Sequence, residues 1–189
     1  MVFFKEQWRA NAIGVHPELE TYQRLHEHNV SHIATAIAGG DVRGERGLHK
    51  TISQRYFDKE GIDMHERIQT RLVLKEVGRP LESYADSIDL ILVVNDALQG
   101  VCLHLALKNW LQFCIGHQEA WEKAGVLHRD VSIGNILIDT AADPSDPVGF
   151  LCDWDLCRYK EELETGVGPI QPAGVSVSIS PFFGETGIS

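Results

Sequence analysis

The chain has 189 residues, enough for one domain or for part of a larger one. Its 43% hydrophobic and 23% charged content is ordinary for a soluble globular protein. A net charge of −10 argues against a general grip on nucleic acid, which needs clustered Lys and Arg.

Four cysteines (Cys102, Cys114, Cys152, Cys157) form no Cys-x-x-Cys pair and lack the density of a secreted disulfide scaffold. The opening "MVFFKEQWRA" has no signal-peptide core. The most apolar stretch, 100–116, contains His104, Lys108, Asn109 and Gln112 and is too short and polar to span a bilayer. The expectation is an intracellular chain, cytoplasmic or nuclear, neither secreted nor bound to a membrane.

In chain order, residues 17–28 ("PELETYQRLHEH") place Pro17 at a helix start, with Tyr22 and Leu25 on one face. Residues 30–41 ("VSHIATAIAGGD") are an apolar β-type segment ending at a Gly-Gly turn. Residues 42–66 are a polar loop or weak hairpin. "RIQTRLVLKEVG" (67–78) is a strand stopped by Gly78, and "RPLESYADS" is a linker. From Ser87, an N-cap, "IDLILVVNDAL" puts Ile91, Val94 and Leu98 on one helical face. Helical character resumes over 117–125 and stops at Gly125. A single helix from Ser87 to Ala124 exceeds a small domain, so Gly100 or Gly116 breaks it or the residues between do not belong to it. "NILI" and "FLCDW" form a hairpin across the Pro-rich turn 141–149. The Gly/Pro/Ser-rich residues 166–189 lack helical periodicity and are expected to be unstructured.

The pattern His128-Arg129-Asp130, then Asn135, then Asp153 is a phosphoryl-transfer arrangement. A nucleoside triphosphate needs its charge neutralised by Mg²⁺, which prefers hard oxygen ligands. Asn135 and Asp153 offer two such oxygens from the ends of adjacent strands. Asp130 can orient an acceptor hydroxyl and take its proton, while His128 and Arg129 hold the loop rigid. A solvated acidic turn is the alternative reading, and the full spaced set with apolar runs behind both acidic ends argues against it.

Here the chain resembles the fungal-type protein kinases, on "HRDVSIGNILI", "CDWDL" in place of Asp-Phe-Gly, "EVGRPLESY" and "FKEQWR…HPELETYQRLHEHNVSHIATAIAGGDV". The resemblance implies an α+β, protein kinase-like fold: a partial N-lobe plus the catalytic-loop part of the C-lobe. It covers residues 1–165, with an αC-like helix at 17–28, a hinge strand at 67–78, the catalytic loop at 126–138 and the metal-binding loop at 150–157. It further implies ATP and Mg²⁺, and a protein substrate whose identity is not legible. Lys5 becomes the strand lysine that holds the α/β-phosphates. Glu20 is its helix partner, with Glu18 competing. Backbone groups near Glu76 and Gly78 meet adenine, without the Glu76 side chain. The implied activity is that of a Ser/Thr-type protein kinase. The alternatives are a small-molecule phosphotransferase of related fold or a catalytically dead fragment that acts as a binding module.

The resemblance fails in places. Only four residues precede Lys5, so the Gly-rich lid over the phosphates is not there. Residues 100–116 interrupt an otherwise continuous helix. Nothing after "ELETG" resembles the end of an activation segment. Ser132 stands where many Ser/Thr kinases carry lysine, and Asp155 replaces the glycine of the usual triplet, as a turn acid or a third metal contact. The expectation is a partial domain of poor activity.

Overall fold

The computed structural model describes residues 1–53, 56, 65–84, 87–98, 116–142 and 148–166. The expected break at Gly100, most of the 100–116 insertion and the tail from residue 167 lie outside them. Mixed helix and strand in this order make the fold α+β.

The first half is built on three antiparallel strands: β1 (Phe3–Ala10), β2 (Ala36–Asp41) and β5 (Arg67–Leu74), with β5 in the middle. Strand alternation gives β1 two unlike faces. Lys5, Gln7 and Arg9 are half-buried towards the rest of the molecule, while Phe4, Glu6 and Trp8 face out. Arg9 grips the carboxylate of Asp41 with two hydrogen bonds of 2.9 and 2.7 Å, tying β1 to β2 across the central strand. Gly39 and Gly40 do not form the expected turn. They lie inside β2, opposite Leu72 and Arg71, where a Cβ at Gly39 would come 2.5 Å from the Arg71 carbonyl oxygen. The polar stretch after β2 contains a small hairpin, β3 (Arg43–Gly44) and β4 (Gly47–Leu48).

Helix α1 (Glu18–Glu27) buries Glu18, Thr21, Tyr22 and Leu25. These positions follow the i, i+3, i+4, i+7 rule, so one stripe of the helix faces the core. Glu18 belongs to that stripe and Glu20 does not.

The second half begins where β5 ends at Leu74, short of the 67–78 strand expected from the sequence. Residues 75–77 form a link, and Gly78 already belongs to β6 (Gly78–Pro80), which is followed by a 3₁₀ turn at Leu81–Ser83. β6 joins β8 (Ile136–Asp139) and β9 (Gly149–Leu151) in a second antiparallel sheet, and β8–β9 is the predicted hairpin. Helix α2 (Ser87–Leu98) lies on β9, and α3 (Gly116–Ala124) packs against α2. The buried side of α2 is centred on Val93, with Leu90 and Val94 beside it. Ile91, expected on the buried stripe, is instead 67% exposed. In a helix apolar on nearly every side, periodicity could not choose the face.

Gly125, at φ +63°, ends α3. The chain then enters β7 (Val126–Leu127), which pairs with β10 (Arg158–Tyr159), and a short helix α4 (Lys160–Thr165) follows. One continuous core joins the halves through Tyr22, Leu25, Leu74, Val93, Ile138, Phe150, Leu151 and Trp154. Among the described residues no helix is long and apolar enough to cross a membrane.

Candidate active site

Glu18 is the hub of the site. Its Oε2 accepts hydrogen bonds from Lys5 Nζ at 2.7 Å and Gln7 Nε2 at 3.2 Å, and its Oε1 accepts the Trp154 backbone N–H at 3.1 Å. One carboxylate thus joins β1, the first turn of α1 and the loop after β9. The helix N-terminus is also the favourable place for that charge. Glu20, the partner expected from the sequence, is exposed, and the ion pair belongs to Glu18. The i, i+4 relation of Glu18 to Tyr22 was the available signal. Gln7 was missed altogether: it follows Lys5 at strand spacing and therefore shares its face.

Lys5 Nζ also reaches Asp153 Oδ1 at 2.5 Å, so residues 148 positions apart in sequence meet at one ammonium group. Burial opposes the charge on Lys5, but the Glu18 charge and the hydrogen bonds that Lys5 donates to both carboxylates outweigh it and raise the lysine pKa. Burial also acts on Asp153, and there too Lys5 prevails and holds the carboxyl below its ordinary value. Glu18 is the more deeply buried partner, and desolvation pushes it upward against the pull of Lys5. The two ends of this ion pair thus shift in opposite senses for stability. The firm direction is that of Lys5, which is flanked by two acids and stays protonated.

Asp153 has φ +65°, a left-handed conformation uncommon outside glycine. It is held there by neighbours on both sides, since Trp154 is fully buried and Cys152 is pinned twice. The Cys152 N–H donates to the Asn135 carbonyl at 2.9 Å, and its own carbonyl accepts from His128 Nε2 at 2.9 Å. The Asp130 N–H donates to His128 Nδ1 at 3.2 Å, which fixes the tautomer with the proton on Nε2. Burial lowers the His128 pKa and keeps the ring neutral, and the ring packs against Trp154 with centroids 4.5 Å apart. The sequence reading of His128 as the group that stiffens the loop describes these contacts. Arg129 is different. It is exposed at φ +73°, and its guanidinium has no hydrogen-bond partner among the described residues.

Asp130 is exposed, and its Oδ2 accepts from Asn135 Nδ2 at 3.1 Å; the same amide donates to the Asp130 carbonyl at 2.8 Å. With its nitrogen committed, Asn135 keeps its amide oxygen as a free acceptor among the described residues. Burial, and then the Asp153 charge, push Asp155 up to about 7. Among the described residues no cluster of three or more His, Cys, Asp or Glu could cage a metal by itself. One carboxylate and one amide oxygen suit Mg²⁺, which usually takes one or two protein oxygens and completes its shell with phosphate and water.

The 75–77 link is fixed from two sides. The Glu76 carboxylate accepts the Thr35 N–H at 2.6 Å and the Thr35 hydroxyl at 2.9 Å, and the Lys75 N–H donates to the Thr35 carbonyl at 2.9 Å. The Glu76 side chain is thus committed to Thr35. Gly78 pairs with Asp139 in β6–β8 and lies at the edge of the link rather than in it. The residue between them, Val77, offers its carbonyl to the Thr140 hydroxyl at 2.6 Å.

A lysine paired to a helix glutamate, a buried histidine at the catalytic turn, and an aspartate and an asparagine on adjacent loops are now all in place. A family model for fungal protein kinases matches residues 5–174. The chain belongs to the fungal protein kinase family. The match begins at Lys5 and runs past the 165 boundary expected from the sequence. The chain is also similar to the serine/threonine-protein kinase csk1 of Schizosaccharomyces pombe, with 27% identity over 114 residues. That match takes in 53% of this chain and 37% of the relative, so the chain spans well under half of the relative's length.

Proposed function

We propose that the chain carries the site of an ATP-dependent protein kinase of Ser/Thr type, with a protein kinase-like arrangement of its two halves. The observation that carries this reading is the Lys5 ammonium held between Glu18 and Asp153, at 2.7 and 2.5 Å. Two carboxylates hold the lysine protonated and aimed at the gap between β1 and the metal loop, where a polyphosphate would sit. The Ser/Thr assignment rests on the similarity to a serine/threonine-protein kinase.

Each residue then has one task. Lys5 holds the α- and β-phosphates, and Glu18 with Gln7 holds Lys5. Asn135 Oδ1 and the Asp153 carboxylate would hold Mg²⁺, which would supply charge neutralisation for the phosphates. Asp130 orients the acceptor hydroxyl and takes its proton. The hydroxyl oxygen bonds to the γ-phosphorus, the bond to the β–γ bridging oxygen breaks, and ADP leaves. Backbone groups of the 75–77 link receive the adenine. Positioning and electrostatics supply most of the acceleration in this chemistry, and the protein contributes little covalent work.

The test is titration calorimetry with ATP, with and without Mg²⁺, on the wild-type chain and on Asp153→Ala and Asp130→Ala. The expected result is Mg²⁺-dependent binding that Asp153→Ala abolishes and Asp130→Ala retains, because Asp130 addresses the acceptor only. Absence of binding by the wild type, or equal loss in both folded variants, overturns the assignment.

A further inference from the structure

Tyr159 lies outside every motif discussed so far, yet three functional segments converge on it. It is in β10, six residues after Asp153, and lies opposite Val126 in β7, which precedes His128 by two. Its ring stacks on His16 with centroids 4.0 Å apart and planes 16° off parallel. The Arg24 guanidinium stands 4.4 Å from the ring centre. Its hydroxyl lies 3.3 Å from Thr21 Oγ1, which also touches Cys157 Sγ at 3.3 Å.

His16, Thr21 and Arg24 bracket Glu18 along the chain. His16 precedes it by two residues, and Thr21 and Arg24 follow on α1. The surrounding contacts reinforce the same junction. His16 Nε2 pairs with Glu162 at 2.7 Å, Arg24 Nη2 pairs with Glu161 at 2.6 Å, and Arg24 Nε donates to the Ala124 carbonyl at 2.6 Å. The Tyr159 N–H donates to Glu162 Oε2 at 3.2 Å, and the Lys160 N–H to the Gly125 carbonyl at 2.8 Å. An aromatic ring with a stacked partner and a cation on its faces is held more firmly than by the area it buries alone.

We infer that Tyr159 is a positioning residue: its ring, held between His16 and Arg24, sets α1 so that the Glu18 carboxylate meets Lys5. This deepens the kinase reading and rests on the Lys5–Glu18 pair as the working pair. It adds that the pair is assembled by packing of the segment after the metal loop, through a side chain that touches neither nucleotide nor acceptor. Lys5 and Glu18 are separated by a chain reversal, and Gln7 and Trp154 N–H reach the carboxylate only when α1 is seated. Tyr159 meets α1 at Thr21, on the stripe that carries Glu18, and at Arg24 one turn further on, so removing its ring lets the start of the helix shift relative to the strand.

Zero-length carbodiimide cross-linking reads this contact directly, because it joins only an amine and a carboxylate already in contact. The yield of the Lys5–Glu18 cross-link, located by peptide mass spectrometry, is compared with that of Lys50–Glu66, a 2.5 Å pair remote from Tyr159. The expected result is a Lys5–Glu18 yield reduced at least about fivefold in Tyr159→Leu and less in His16→Ala, with Lys50–Glu66 unchanged in both. Tyr159→Phe keeps the ring and loses only the hydroxyl, and should restore the wild-type yield. If Tyr159→Leu fails to fold, as judged by its melt and by the Lys50–Glu66 control, His16→Ala decides the matter. Wild-type Lys5–Glu18 yield in the folded variants overturns the inference, and so does failure of the phenylalanine to rescue. No nucleotide is needed, so a chain that binds no Mg-ATP but shows this dependence refutes the kinase reading and leaves the positioning role intact.

Discussion

Cys157 is a buried thiol between α1 and β10, and its environment makes an alkaline limit for the fold. Burial pushes it from an ordinary value of 9.0 up to about 11, with Thr21 partly offsetting. The raised value fixes the sign of the linkage. Below pH 9 both states hold the proton and the full contribution is present. Between 9 and 11 the unfolded chain gives up its proton first, so stability falls as pH rises. A two-unit shift corresponds to about 2–3 kcal/mol lost across that window. The expected outcome is a melting temperature that declines from pH 9 to 11, with a shallower decline in Cys157→Ala. In the folded chain at neutral pH, alkylation at Cys157 should be slow and should accelerate in urea. At this scale the sequence was legible where spacing alone defines a role: His128, Asp130, Asn135 and Asp153 follow one another at fixed distances, and the structure brings them to adjacent loops. It was illegible where two equivalent side chains compete. Glu18 and Glu20 look alike in sequence, and only the burial stripe through Thr21, Tyr22 and Leu25 separates them. Tyr159 gave no signal, because its partners come from residues 16–24 and 126, far away in the chain.

Among the elements, the contact of α2 with β9 sets how closely the helix approaches the β8–β9 hairpin. A Cβ at Gly149 would lie 2.0 Å from the Val93 carbonyl oxygen and 3.0 Å from its Cα. The backbones touch, so no side chain can turn aside to make room. Gly149→Ala should cost at least about 2–3 kcal/mol, at the upper end of overpacking penalties, or prevent folding. Gly44→Ala in the small hairpin meets nothing within 4 Å and should leave the melting temperature almost unchanged. Thermal melts of the two variants side by side check both statements, and equal melting temperatures would mean that α2 does not rest on β9. The hairpin β8–β9 was readable because two short apolar runs flank a turn. The limits of β2 and β5 were not. The Gly-Gly pair in β2 reads as a turn, but Gly39 is needed for its close approach to Arg71 and Leu72 and Gly40 for its φ of +121°. The apolar run "LVL" gives no hint that pairing ends at Leu74, since the stop is imposed by the Thr35–Glu76 clamp.

For the whole molecule, the coupling of the two halves decides how a bound nucleotide acts. The segment 31–35 is a strut between them. Ser31 donates twice to Glu119 of α3, at 2.8 and 2.7 Å, and the Leu151 N–H donates to the His32 carbonyl at 2.9 Å. Thr35 then clamps Glu76. The site lies beside this strut and takes Lys5 and Glu18 from the first half and Asp130, Asn135 and Asp153 from the second. A ligand held by both groups of residues is lost when either half unfolds, so its binding energy adds to the stability of both together. At free Mg-ATP of 100 times its dissociation constant the gain is about 2.7 kcal/mol. For a chain of this size that raises the melting temperature by about 5–10 °C. The expected result is a single, later transition with Mg-ATP, and no shift with ATP plus a chelator. Lys5→Met and Asp153→Ala should each remove the shift, although they lie in different halves. A shift that survives either substitution, or a nucleotide that stabilises one of two separate transitions, would show that the ligand engages one half alone.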